Sequence, residues 1–260
     1  MNSFNYLSPK TIEQAISLSG QYGEKAKFIA GGTDIVVKLK KGEIKPEYLI
    51  SLRKIKELTK FFKDYKTGEL VISAMVTHAS LEKSLIIQNK YPIIYDAVSN
   101  IGSLQVRNIG TIGGNLINAV PSADGAIPLI ALDGIAVLYG SNGERFVKIK
   151  DLFVAPYKTI LKPDEILKKI IIPKQAQNTG SAYIKFGRRA AMELPLVGIG
   201  VLLILDNDLK TCLKARIALG VAGPVRDSIR GKAWYRKEII QVQVKRMGLK
   251  CLEIINNNYC

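Results

Sequence analysis

An α+β fold is what this sequence predicts, and three observations carry the prediction. Short, largely apolar runs that read as strands recur along the chain, as in Lys27–Ala30, Tyr48–Leu52 and Leu70–Ala74. Capped apolar helices lie between them, in an order that does not repeat as strand–helix–strand. Beyond a polar stretch at Gln175–Gly180 the chain turns to strands, followed by a terminal helix.

The elements follow in order. Ser8-Pro9 and Thr11-x-x-Gln14 read as a helix start with a capping box. Ile12, Ala15 and Ile16 give that helix one apolar face, and Gly20 and Gly23 end it. Lys27–Ala30 is a buried strand running into Gly31-Gly32-Thr33-Asp34. A helix over Ile35–Lys41 follows, stopped by Gly42, and Tyr48–Leu52 is the next strand. Thr77 caps a helix carrying Ala79, Leu81 and Leu85, and Pro92 opens another through Val98. Gly110–Leu116 is too rich in glycine for the interior of a regular element. A short apolar helix lies within Pro121–Asp133. Ile135–Tyr139 and Arg145–Ile149 flank Ser141-Asn142-Gly143, a hairpin signal. Ile166–Ile172 is a strand ended by Pro173. Ala182–Phe186, Val197–Leu205 and Leu213–Val221 are strands, Asp206-Asn207-Asp208 turns between the last two, and Val242–Asn256 is a helix.

Composition narrows the function. The 260 residues are 47% hydrophobic and 23% charged, enough to bury a sizeable core. MNSFNYLSPK has no basic-then-apolar start, and the apolar run Leu194–Leu205 is broken by Pro195, Gly198 and Gly200, so a cytoplasmic protein without a membrane span is expected. Cys212, Cys251 and Cys260 form no CxxC pair, and with the single His78 they make neither an iron–sulfur nor a zinc site. Any redox chemistry must come from an organic cofactor. The formal charge of +16, with pI near 9.7, admits a nucleic-acid binder. The basic residues are scattered, however, and have no interleaved aromatics for base stacking. A solvated lysine-rich surface, or a face that docks on an acidic partner, fits better, and no nucleic acid is expected.

Two glycine segments stand out. Ala30-Gly31-Gly32-Thr33-Asp34 lies between a strand and a helix, where paired glycines permit unusual backbone angles and close ligand approach. Successive N–H groups there can form an anion-binding nest, and Thr33 adds a hydroxyl. Thr111-Ile112-Gly113-Gly114-Asn115 offers the same resources plus an amide. Two such segments suit a pyrophosphate flanked by two nucleosides. Neither is GxGxxG or GxxxxGK[ST], and either alone reads equally well as a turn.

The second segment continues through Asn118 and Pro121-Ser122-Ala123-Asp124. The run TIGGNLINAVPSADGAIPLIALDG resembles the FAD-binding signature of the medium subunits of molybdenum hydroxylases, a family that includes carbon monoxide dehydrogenase, xanthine dehydrogenase and archaeal aldehyde oxidoreductases. FIAGGTDIVVKLK resembles that family's first pyrophosphate loop. VRNIGTIGGN, EILKKIIIP and RIALGVAGP follow in family order, so the resemblance spans about Tyr6 to Arg226.

The resemblance implies a two-subdomain FAD-binding fold over residues 1–175, split at about 57/58, and a small α+β domain over 176–260. It implies that Ile29, Ala30, Gly31, Gly32, Thr33 and Asp34 wrap the pyrophosphate. Thr111, Gly113, Gly114 and Asn115 match the second phosphate-side loop. Ala123 and Asp124 lie near the ribityl, with Asp124 a hydroxyl acceptor, though it also reads as a helix cap. Ile101 falls against the isoalloxazine, and Leu167 and Lys185 touch the ring from the other side, although Ile101 and Leu167 also read as core and Lys185 as surface. A cation there can tune the flavin. No catalytic residue is implied in this chain. The partners that the resemblance implies are an iron–sulfur subunit with 2Fe–2S clusters and a large molybdopterin subunit, in a dimer of heterotrimers expected to oxidise an aldehyde. One residue departs from the family pattern: Glu193 stands where an aspartate is frequent, after Arg188-Arg189. His78, after Val76-Thr77, reads as a helix-start residue rather than as an acid or base. A stand-alone flavoenzyme of the same fold, like the reductase of peptidoglycan precursors, is the alternative, as is a cofactor-free basic interaction protein.

Overall fold

The computed structural model describes residues 3–189, 193–220 and 231–257. Three sheets follow one another along the chain. The first is built from β1 (Asn5–Leu7), β2 (Ala26–Ile29) and β3 (Tyr48–Ser51), with β3 central and all three parallel. Helices α1 (Ile12–Tyr22) and α2 (Ile35–Lys41) connect them. Thr11 caps α1 by accepting from Gln14 N at 3.2 Å. The return bond of the expected capping box goes to Lys10 N rather than to the cap residue's own N–H. Gly42 ends α2 at φ 73°, a left-handed angle that suits glycine. Ile12, Ala15, Ile16, Ile50 and Leu52 pack into one core cluster beside this sheet, joined by Met75 and Ile166.

The second sheet is antiparallel, in the order β4 (Phe61–Lys63), β5 (Leu70–Ser73), β10 (Ile166–Ile172), β6 (Ile135–Gly140) and β7 (Gly143–Lys148). The hairpin expected at Ser141–Gly143 joins β6 to β7, with Gly143 at φ 91°. A bulge between Leu167 and Lys169 shifts the register of β10 against β6. Between β5 and β6 run six helices: α3 (His78–Glu82), α4 (Leu85–Lys90), α5 (Pro92–Ser99), α6 (Leu104–Ile109), α7 (Ile112–Ile117) and α8 (Ala126–Ala131). The glycine-rich stretch expected to be irregular is largely helical: Gly113 and Gly114 sit in the first turn of α7. Tertiary contacts override the low helix propensity of glycine there. A two-stranded ribbon, β8 (Phe153–Ala155) and β9 (Lys158–Thr159), precedes β10.

The third sheet is β11 (Thr179–Phe186), β12 (Val197–Leu205) and β13 (Cys212–Gly220), antiparallel with β12 central. The end expected for β13, Val221, and the VAGP part of the C-terminal motif lie outside the described residues, as does Cys260. Helix α9 (Ala233–Asn257) begins well before the expected Val242 and packs Met247 and Cys251 onto Ala182, Ile199 and Val201. The opposite face receives α8. A Cβ on Gly198 or Gly220 would come within 2.5 Å of Ile127, and one on Gly200 within 3.0 Å. These three glycines form a groove that seats α8 against the third sheet, and so place Asp124, just ahead of the cap residue Gly125, over β11.

Candidate cofactor site

β2 carries Ile29 to the sheet's end, and Ala30 and Gly31–Asp34 turn the chain into α2. Gly32 sits at φ 87°, so the expectation that this turn needs glycine holds here for a backbone reason. Gly31 is required for a different one. A Cβ there would run into the Ile109 carbonyl oxygen and lie 3.0 Å from Gly110 Cα. Among the described residues, the backbone N–H groups of Gly31, Gly32, Thr33 and Asp34 donate no hydrogen bond within the chain. Four consecutive donors are therefore available to an anion. The Thr33 hydroxyl donates to the Asp34 carboxylate at 3.3 Å, on the exposed rim.

The second segment is built differently. Its N–H groups are already used: Ile112 N donates to Val76 O at 3.0 Å, Gly113 N to Ala74 O at 2.9 Å, and Asn115 N to Thr111 O at 2.9 Å. Gly114 N donates to the capping Thr111 hydroxyl at 3.0 Å. Gly113 is a packing glycine, since a Cβ would lie 2.6 Å from both the Ala74 methyl and carbonyl. Gly114 faces the first segment, where its Cβ would lie 3.6 Å from that of Ala30. What this segment offers is Asn115, whose Oδ1 is buried and without a hydrogen-bond partner. Gly125 leaves room for that oxygen, because a Cβ there would be 2.5 Å from it. An orphaned buried carbonyl beside two meeting glycine turns is what a cofactor with hydroxyl and phosphate groups would fit.

Next to it lies a buried ion pair. Asp124, 5% exposed, accepts from Lys185 Nζ at 2.8 Å and from the Tyr183 hydroxyl at 2.7 Å. Lys185 Nζ also donates to Asn100 O at 2.9 Å, beside Ile101. Burial pushes the Asp124 carboxyl above its ordinary range, and Lys185 and the Tyr183 hydroxyl draw it back. The Tyr183 hydroxyl is pushed far up by burial next to that carboxylate. Asp124 is not a helix cap: Gly125 holds the cap position of α8 and no side chain caps it. Ala123 is buried just ahead of it. Ile101, Asp124 and Lys185, read separately from the sequence, thus come together. Leu167 does not join them directly. It is buried in the main core opposite Leu138, one strand from Gly113 through the Gly113–Ala74–Lys168 backbone relay.

Sequence reasoning passed over Tyr183 and Asn100. The signal for Tyr183 was its spacing two residues before Lys185, which puts both on one face of β11. Glu193 binds Arg188 Nε and the Arg189 N–H, closing its own loop. Among the described residues no group of three or more His, Cys, Asp or Glu could hold a metal, and no helix is long and apolar enough to cross a membrane.

Residues 2–175 match the family described as the FAD binding domain in molybdopterin dehydrogenase, over more than half of the 260 residues. The chain belongs to that family. It is an FAD-binding subunit of the molybdenum hydroxylases. It is similar to the carbon monoxide dehydrogenase medium chain of Hydrogenophaga pseudoflava, 34% identical over 92% of this chain and 83% of the relative. It is also similar to the glyceraldehyde dehydrogenase medium chain of Sulfolobus acidocaldarius, 26% identical over 92% of this chain and 95% of the relative. Among solved structures, reconstituted CO dehydrogenase from Oligotropha carboxidovorans has a chain that superposes with a TM-score of 0.89, at 29% identity, covering 97% of this chain and 98% of that one. These likenesses agree with the α+β fold read from the sequence and with an oxidoreductase role for the FAD subunit.

Proposed function

We propose that this FAD subunit relays electrons, taking them from an iron–sulfur subunit and passing them to an external acceptor. The row of four unused N–H groups at Gly31–Asp34 is the observation that carries the cofactor placement. In this reading those groups, backed by Ile29 and Ala30, hold the FAD pyrophosphate. Thr111, Gly113 and Gly114 floor the cleft, and Asn115 Oδ1 gains the donor it lacks. Ala123 and Asp124 face the ribityl, and Ile101 flanks the ring, while Leu167 backs the site from within the core. Lys185 holds a positive charge beside it. Bound FAD supplies the exchange between one- and two-electron steps. The chain's part is to bind, orient and keep a cation near the ring. Its one histidine, His78, is buried and kept neutral, and no residue here is assigned to substrate chemistry.

The substrate binds elsewhere in this reading, on a molybdopterin subunit, with 2Fe–2S clusters on a small subunit between them. A dimer of heterotrimers in the cytoplasm is the proposed assembly. An aldehyde of glyceraldehyde type is the proposed substrate, supported by the Sulfolobus relative's name. The basic surface, +16 in formal charge, would orient docking, so assembly should slow as salt rises. The test is purification of the tagged chain from its native cell. The two partner subunits are expected to co-purify, and glyceraldehyde is expected to bleach both the iron–sulfur and the flavin absorbance of the complex. Carbon monoxide bleaching it instead would replace the substrate. Turnover of an aldehyde by the isolated FAD-loaded chain would replace the relay with a stand-alone flavoenzyme.

A further inference from the structure

His78 is the chain's one histidine, and the relay does not use it. It opens α3 behind the capping Thr77 and is 2% exposed. Its Nδ1 is buried with no hydrogen-bond partner. Burial, reinforced by the charge of Arg107, lowers its pKa to about 4, so the ring is neutral near neutral pH. A buried unpaired nitrogen is a cost that an apolar side chain of similar size would avoid. The imidazole is therefore held in place at a cost.

Its neighbours suggest another role. Its backbone N–H donates to Gly110 O at 3.1 Å, at the end of a short antiparallel run that also holds Ile112 to Val76 and Gly113 to Ala74. The ring lies on Gly110, where a Cβ would be 3.3 Å from Cδ2 and 3.8 Å from Nε2. Gly110 in turn is what Gly31 meets, since a Cβ on Gly31 would be 3.0 Å from Gly110 Cα and would run into Ile109 O. A backbone hydrogen bond thus joins His78 to Gly110, and neither Gly110 on its side toward the ring nor Gly31 on its side toward Gly110 has easy room for a side chain.

We infer that His78 is a cofactor-positioning residue whose ring presses the Ile109–Gly110 peptide against Gly31 and so sets the shape of the first glycine segment. The inference rests on the proposal that this segment holds the FAD pyrophosphate. Nothing in the ring's role requires a proton transfer. Shape is transmitted through a packed peptide, which cannot shift without opening space on one side.

The test is a double-mutant cycle on the full chain, read as the FAD dissociation constant by flavin fluorescence. His78→Ala is expected to weaken FAD by about tenfold and Gly31→Ala by about a hundredfold, with the double variant losing at least about fivefold less than the product, because the peptide can retreat from the Gly31→Ala methyl into the space vacated. Far-UV circular dichroism checks that each variant is folded. If His78→Ala does not fold, His78→Asn, which also vacates the far edge of the ring, takes its place in the cycle, with the same sub-multiplicative result expected. Losses that multiply within about twofold would overturn the inference, because a merely structural histidine has no reason to couple to Gly31. A parent chain that binds no FAD would instead overturn the cofactor placement.

Discussion

The two glycine segments look alike as sequence and are unlike as structure. Gly31–Asp34 leaves its backbone donors open, among the described residues, while Gly113–Asn115 has used its own on Ala74, Thr111 and the first turn of α7. One glycine pair frees the backbone for a ligand. The other lets a helix lie against a strand end without a clash at Ala74. A glycine motif therefore does not by itself say which side of the chain it serves, the ligand's or the fold's.

The largest effect that could break this contrast is at Gly32. Valine is strongly disfavoured at φ 87°, so Gly32→Val should force the segment to rearrange and cost about 3 kcal/mol of FAD binding, roughly a hundredfold, while the unloaded chain's thermal midpoint stays close to the parent's. Equal FAD affinity would undo the assignment. At Gly113 the balance should reverse. Gly113→Ala crowds Ala74 and should cost about 1–3 kcal/mol of stability, read by urea unfolding of the unloaded chain. FAD loss without that stability loss would make the second segment a ligand loop after all.

His78 sharpens the picture under the second segment. Its folded pKa, about 4, lies below the ordinary 6.5, so its neutral form is the stable one. The stability it contributes is complete above pH 6.5 and is lost as pH falls toward 4. Between pH 7 and 4.5 the parent should lose about 2 kcal/mol more than His78→Gln, in urea unfolding at each pH. Parallel pH profiles would mean that the ring is not buried as described. The smallest effect is at Asn115. Asn115→Ala removes an unpaired buried oxygen, so the unloaded chain should be no less stable, while FAD binding weakens by about 1 kcal/mol, measured by titration. A chain destabilised without FAD would show that Asn115 has a structural partner.

Local signals made much of the fold legible. Thr11, Thr77, Gly42, Pro92 and the Gly143 hairpin act through neighbours a few residues away, and each stands where expected. The helicity of Gly113–Gly114 was not legible, because it depends on Ala74 and Val76, which are distant in sequence. Nor was the early start of α9. In the candidate site, Asp124, Lys185 and Ile101 were named by resemblance, but their meeting depends on Ile127 settling into the groove of Gly198, Gly200 and Gly220. No residue pattern near Asp124 announces that groove, and Tyr183 was missed for the same reason.

Amide hydrogen exchange of the chain with and without FAD tests the contrast most directly. The N–H groups of Gly31–Asp34 should exchange fast in the unloaded chain and at least about tenfold more slowly with FAD, whereas those of Gly113–Asn115 should be protected in both states. Equal gains in protection at the two segments, or none at Gly31–Asp34, would contradict the account.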